Sequence, residues 1–157
     1  MKAATATDWL GHASLLRLLA VMLLVMAPHA PHLPPWISVG IVTLMLWRAA
    51  AGLRGWRLPG KLVRSLLTLA AFVSVYLTFG RATGQTVGTA LLALMVALKL
   101  TEMSGRRDVV VVLYLLYFSL LTHFLRDQEL WTLLWMLGCT VLITALLVDV
   151  NRQGGIP

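Results

Sequence analysis

At 157 residues, 59% of them hydrophobic and only 12% charged, with a mean hydropathy of +0.85, the chain has too little polar surface to wrap a soluble globule of its size. Its formal charge of +7 comes from basic residues clustered between apolar runs rather than interleaved with aromatics on a polar face, which argues against nucleic acid as a partner and for loops held at one side of a membrane. Divided by the roughly 20 residues needed to cross about 30 Å of hydrocarbon, the length predicts an all-α polytopic bundle of about six transmembrane helices, a single domain over 1–157 with no soluble domain and the lipid bilayer as its solvent.

Met1 to Gly11 is a polar lead, and the first apolar run spans 13–27. Lys2 ahead of that run and Arg17 near its start have the outline of a signal peptide, but four prolines follow at once and apolar runs continue, so it is read as a first crossing. Arg17 is expected to snorkel to the headgroups. Pro28 to Pro35, with His29 and His32 between the prolines, carries no Lys or Arg and reads as an external loop. The second run, 36–52, opens on Trp36 and closes with Trp47 and Arg48 at the opposite interface. Arg48, Arg54, Arg57, Lys61 and Arg64 then fall within a Gly- and Pro-punctuated connection that the positive-inside rule places in the cytoplasm.

The third run, 62–79, carries Ser65, Thr68, Ser74 and Thr78, hydroxyls that bond to their own helix or to a neighbour. The link containing Arg81 reads as external. Ahead of the fourth run, 87–103, stand Gly80, Gly84 and Gly88 at four-residue spacing, which either lets another helix approach closely or marks turn residues, with Gly88 alone packing. A charged corner follows, and Asp108 is placed to cap a fifth helix over 108–125. Arg126 to Glu129 makes a tight external turn. The sixth run, 130–148, has Trp131 and Trp135 near its outer end and closes on Asp149, Asn151 and Arg152. This order puts both termini in the cytoplasm.

Two groups of polar residues are candidates for chemistry. Lys99, Glu102, Arg106, Arg107 and Asp108 fall within about three helical turns, either as an ionisable relay or as a network that locks a helical hairpin at the interface, the reading preferred here. Ser119, Thr122, His123 and Arg126 follow i, i+3, i+4, i+7 spacing as a polar stripe, with His123 a proton relay or a hydrogen-bonded structural residue. Tyr114, Phe118 and Leu121 form a second stripe read as helix packing. His29 and His32 lack a carboxylate or thiolate to complete a metal site, and the single cysteine, Cys139, sits mid-helix as a small packing residue. No catalytic residue, metal site or cofactor site is expected.

Several of these residues also carry a resemblance. Leu46, Trp47 and Arg48, then Gly55, Trp56, Leu58 and Pro59, Phe79 and Gly80 with Gly84 and Gly88, the A-L-K-L-T-E run of Ala97 to Glu102, Arg106 to Asp108, and the segment ending at Gln128 are similar to the N-terminal membrane region of bacterial TgpA-type transglutaminase-like proteins. That resemblance implies a longer protein that continues through another crossing into an extracytoplasmic domain with a Cys-His-Asp triad, and Cys139 does not match its nucleophile. The chain is therefore expected to anchor or regulate such a domain, supplied by the same polypeptide or operon. A small transporter or channel using Lys99, Glu102 and the Ser119 to Arg126 stripe is the alternative, and a scaffold binding headgroups through Arg54, Arg57, Lys61 and Arg64 is a third reading.

Overall fold

Apolar side chains recur along this sequence at the spacing of one helix face, and that spacing organises the computed structural model, which describes residues 11–54, 60–80 and 84–153. Among them are six α-helices and no strand: α1 His12–Met26, α2 Pro35–Arg54, α3 Lys61–Phe79, α4 Gln85–Glu102, α5 Arg106–Phe124 and α6 Leu130–Gln153. The polar lead before Gly11, Arg57 and the Gly55 to Pro59 motif, Arg81 and the last four residues lie outside the described residues.

Five of the helical segments, Ala13–His32, Pro35–Arg54, Leu62–Phe79, Arg106–Phe124 and Leu130–Arg152, are long and apolar enough to cross a membrane. Side-chain ties join the start of α5 to the end of α6, the start of α4 to the end of α5 and the start of α1 to the end of α6, so these neighbours run in opposite directions. Helices α1, α2, α4, α5 and α6 close into a ring of neighbours, with α1 also touching α5 across it, and α3 rests against α4 from outside. Besides α4, one stripe from each ring helix fills the interior: Leu15, Leu18, Met22 and Val25 of α1, Ile37, Ile41 and Met45 of α2, Val112, Leu113 and Leu116 of α5, and Cys139 and Ile143 of α6.

In hydrocarbon there is little hydrophobic drive for one apolar helix to seek another, so close packing and polar ties decide which helices associate. Helix α4 is built for close packing. Ala90, Ala93 and Ala97 lie along it at no more than 1% exposure, and the absence of bulk lets α2, α3 and α5 all reach it. The glycines ahead of it do something else. Gly80 and Gly84 adopt φ of +57° and +129°, left-handed values that turn the chain between α3 and α4, and a β-carbon on Gly88 would meet nothing within 4 Å. The close approach expected of that spacing occurs instead at Gly52, where a β-carbon would collide with the Leu15 side chain of α1.

Three further expectations change. The segment after α1 is no free loop: Ala27–His32 continues as a 3-10 helix, the Ala27 N–H still bonds to the Leu23 carbonyl, and His29 is buried. Pro28, at its second position, lacks the N–H that would continue the α-helical ladder, and the tighter 3-10 turn accommodates it. Asp108 is not the residue before α5. The helix begins at Arg106 behind Gly105, and Asp108 reaches back from its third position to accept from the Ser104 N–H at 3.0 Å and the Ser104 hydroxyl at 3.1 Å. Tyr114, Phe118 and Leu121 point outward at 61%, 58% and 53% exposure, a lipid-facing stripe rather than an internal one.

Candidate functional site

The polar groups gather at the two ends of the bundle. At the end where α4 turns into α5, the Lys99 ammonium lies 3.2 Å from the Glu102 carboxylate, three residues along the same helix, and 3.2 Å from the Asp108 carboxylate on α5. With Ser104 holding the other Asp108 oxygen, one carboxylate and one ammonium fix the corner between two helices. The Arg106 guanidinium donates to the backbone carbonyl and to the side-chain oxygen of Asn151, tying the start of α5 to the end of α6. Arg17 at the start of α1 meets Asp149 of α6 at 3.6 Å, so the snorkelling arginine also has an interhelical partner. Arg107 is exposed.

Inside that same end lies a guanidinium whose burial the sequence reading did not anticipate. Arg48 is 2% exposed rather than open to its surroundings, and its Nε donates to the Leu100 carbonyl at 3.2 Å. Leu100 belongs to the last turn of α4, where backbone carbonyls lack an N–H four residues on and carry the negative end of the helix dipole. A cation at that point satisfies a hydrogen-bond acceptor and a dipole together. The Leu98 carbonyl of the same turn is taken by the Thr101 hydroxyl at 2.7 Å. The signal was available: Ile37, Ile41, Met45 and Arg48 stand at i, i+4, i+8 and i+11, so Arg48 continues the buried stripe of its helix.

At the opposite end the Ser119 to Arg126 stripe divides by direction. Ser119 and His123 are buried against α1, while Gln85 of α4 donates to the Thr122 carbonyl at 3.4 Å and Arg126 donates to the Thr86 hydroxyl at 3.3 Å. His29 is drawn into this group and away from His32, which is exposed. The His29 and His123 rings sit 5.0 Å apart at 45°. His29 Nδ1 donates to the Val25 carbonyl at 3.2 Å, since a carbonyl only accepts, and its Nε2 is buried with no hydrogen-bond partner among the described residues. The same logic as for Arg48 would have found it. Leu18, Met22, Val25 and His29 share one face at i, i+4, i+7 and i+11, as do Val112, Leu116, Ser119 and His123.

Beyond α5, the Asp127 carboxylate accepts from the Glu129 N–H at 3.2 Å and from the Thr132 hydroxyl at 2.8 Å. The Thr132 hydroxyl first, and the Glu129 N–H second, hold this carboxyl below its ordinary value near 3.8. Among the described residues no three of His, Cys, Asp and Glu come together as a metal-binding group. Cys139 is 1% exposed in the interior of α6, where it packs as a small apolar side chain.

The expected candidates therefore form two separate constellations, with Lys99, Glu102 and Asp108 at one end and Ser119, Thr122, His123 and Arg126 at the other. A groove of about 1140 Å³ between α3, α4 and α5 is lined by the first set and by none of the second. Each set includes a bond from one helix to another, Lys99 to Asp108 in the first and Arg126 to Thr86 in the second.

Comparison with known proteins accords with this architecture. The family model described as the TgpA N-terminal domain matches residues 17–156. A protein-glutamine gamma-glutamyltransferase of Pseudomonas aeruginosa is 32% identical over 135 residues, which cover 85% of this chain and 20% of that relative. The chain thus spans about a fifth of the length of the curated relative it matches. No solved structure matches it.

Proposed function

This chain belongs to the TgpA N-terminal domain family, and from that membership we propose that it is the membrane-embedded module that anchors a transglutaminase-like domain on the outer side of a bacterial inner membrane. The observation that carries the proposal is the family match over nearly the whole chain. Its support in the geometry is that the charged and polar side chains bond between helices at the two ends of the bundle, as a rigid platform requires, and do not converge on one reacting centre. Acyl transfer, in this reading, resides in sequence beyond these residues, and Cys139 takes no part in it.

The proposed orientation puts the end bearing Arg17, Arg48, Arg54, Arg64, Lys99, Arg106, Arg107 and Arg152 in the cytoplasm, together with both termini, because basic residues are retained on that side. In this orientation the opposite end bears Arg126 and the exposed Trp36 and Trp131 side chains, aromatics of the kind enriched at headgroup depth. Alkaline phosphatase fused after Gln128 is expected to be active, and fused after Ser104 or Gln153 to be inactive. The reverse pattern removes the anchoring role, since the module would then present its partner domain to the wrong compartment. The transporter reading requires Lys99 and His123 to share a path, and flux in liposomes that falls on both Lys99→Met and His123→Ala would reinstate it.

A further inference from the structure

Helix α3 leans on α4 and diverges from α5, and the space left between them is the groove of about 1140 Å³. Its two halves differ in character. At one end it carries Arg64 of α3, Lys99 and Glu102 of α4, and Asp108 of α5. Leu69 and Phe72 lie one to two turns further along α3, about 8–12 Å from Arg64 at 1.5 Å per residue, and face Met95 of α4 and Leu115 of α5 across the apolar half. The groove is thus charged at the end of the helices and apolar towards their middle, the profile of a lipid lying beside a membrane protein.

The four charges sum formally to zero, but they are not equivalently occupied. Lys99 is engaged by both carboxylates at 3.2 Å. Arg64 has no such partner: its Nε is buried and makes no hydrogen bond among the described residues, an arrangement that costs free energy unless an acceptor arrives from outside. Glu102 is the more open of the two carboxylates, its side chain 54% exposed against 23% for Asp108. The groove therefore offers an unfilled cationic donor and a half-exposed anionic acceptor at its charged end, beyond an apolar slot. An acceptor for the first and a donor for the second occur together in a headgroup that joins a phosphate to a primary ammonium.

We propose that this groove binds a glycerophospholipid of the ethanolamine class, with its phosphate on the Arg64 guanidinium, its ammonium on the Glu102 carboxylate and one acyl chain along Leu69, Phe72, Met95 and Leu115. An anionic glycerol headgroup supplies the phosphate but only neutral hydroxyl donors for Glu102, and brings net negative charge beside two carboxylates. A choline headgroup supplies the charge but no N–H donor. The site selects by the second interaction and holds by the first.

The full chain, reconstituted in nanodiscs with equal amounts of ethanolamine, glycerol and choline phospholipids of matched acyl chains, tests this by native mass spectrometry of the lipid adducts. One ethanolamine lipid is expected to be retained about tenfold over the other two, the ratio of one charge-assisted hydrogen bond. Arg64→Gln is expected to reduce that retention about tenfold, and Glu102→Gln to erase the preference over choline while raising glycerol-lipid retention, because one of the two repelling carboxylates is gone. Thr68→Trp fills the groove without removing a charge and is expected to expel the lipid with the helical circular dichroism spectrum intact. Equal retention of the three headgroups, a preference for the glycerol lipid, or an adduct that survives Thr68→Trp would each overturn the proposal.

Discussion

The Nε of Arg48 on α2 donates to the backbone carbonyl of Leu100 on α4 at 3.2 Å, with the arginine side chain 2% exposed. This bond joins two helices through an acceptor that no helix can satisfy for itself, because the last-turn carbonyls of α4 have no following N–H groups. Removing the guanidinium leaves that carbonyl buried and a cavity beside it. Arg48→Ala is expected to destabilise the bundle by about 3 kcal/mol, read as a lowered thermal midpoint in detergent. Arg48→Lys restores the charge without the planar donor and is expected to recover less than half of the loss. An unchanged midpoint in Arg48→Ala would show that the bond contributes nothing.

Gly52 and Gly88 make opposite predictions. Gly52→Ala forces the Leu15 side chain out of its place against α2 and is expected to cost about 1–3 kcal/mol. Gly88→Ala meets open space on a helix and is expected to stabilise α4 by up to about 1 kcal/mol. Thermal midpoints that move in the same direction for both would refute the packing described here.

The corner pair offers a coupling measurement. A double-mutant cycle of Lys99→Met with Asp108→Asn is expected to give about 0.5–1 kcal/mol, since both side chains are about three-quarters buried and span two helices. The cycle of Lys99→Met with Glu102→Gln is expected to fall nearer zero, because Glu102 is half exposed and its pairing is local to one helix.

Asp127 carries the pH dependence. Its carboxyl is held below the ordinary value in the folded protein, so the folded state binds its proton less tightly than the unfolded one does. The stabilisation is complete above the ordinary value near 3.8 and is lost as pH falls through the lowered one. Carbon-13 titration of the side-chain carboxyl is expected to show the lowered midpoint, and Thr132→Val to move it upward. A midpoint that does not respond to Thr132→Val would mean that the hydroxyl is not its chief cause.

The all-α architecture and the approximate helix positions were legible because apolar runs of near-constant length separated by turn residues leave a long chain few alternatives. The polar ends were only half legible. Lys99, Glu102 and Asp108 sit close in sequence, and local spacing predicts their meeting. Arg48 and Leu100 are 52 residues apart, and their bond depends on how α2 and α4 lie against each other, which periodicity along either one does not encode. His29 was misplaced for a different reason: proline was taken to end the helix, when a 3-10 turn admits it and keeps the side chain on the buried face. The small-residue interface was sought at the glycines because their spacing is conspicuous, while Ala90, Ala93 and Ala97 blend into an apolar run.

The central position of α4 has a consequence for how such a chain is made. Synthesis delivers α1, α2 and α3 to the bilayer before the helix on which α2 and α3 both rest exists. Until Leu100 is made, the Arg48 guanidinium lacks the backbone carbonyl that it bonds in the finished bundle, and a cation without a polar partner among apolar helices is drawn toward water. The fourth helix is thus what gives α2 its polar tie and α3 its neighbour.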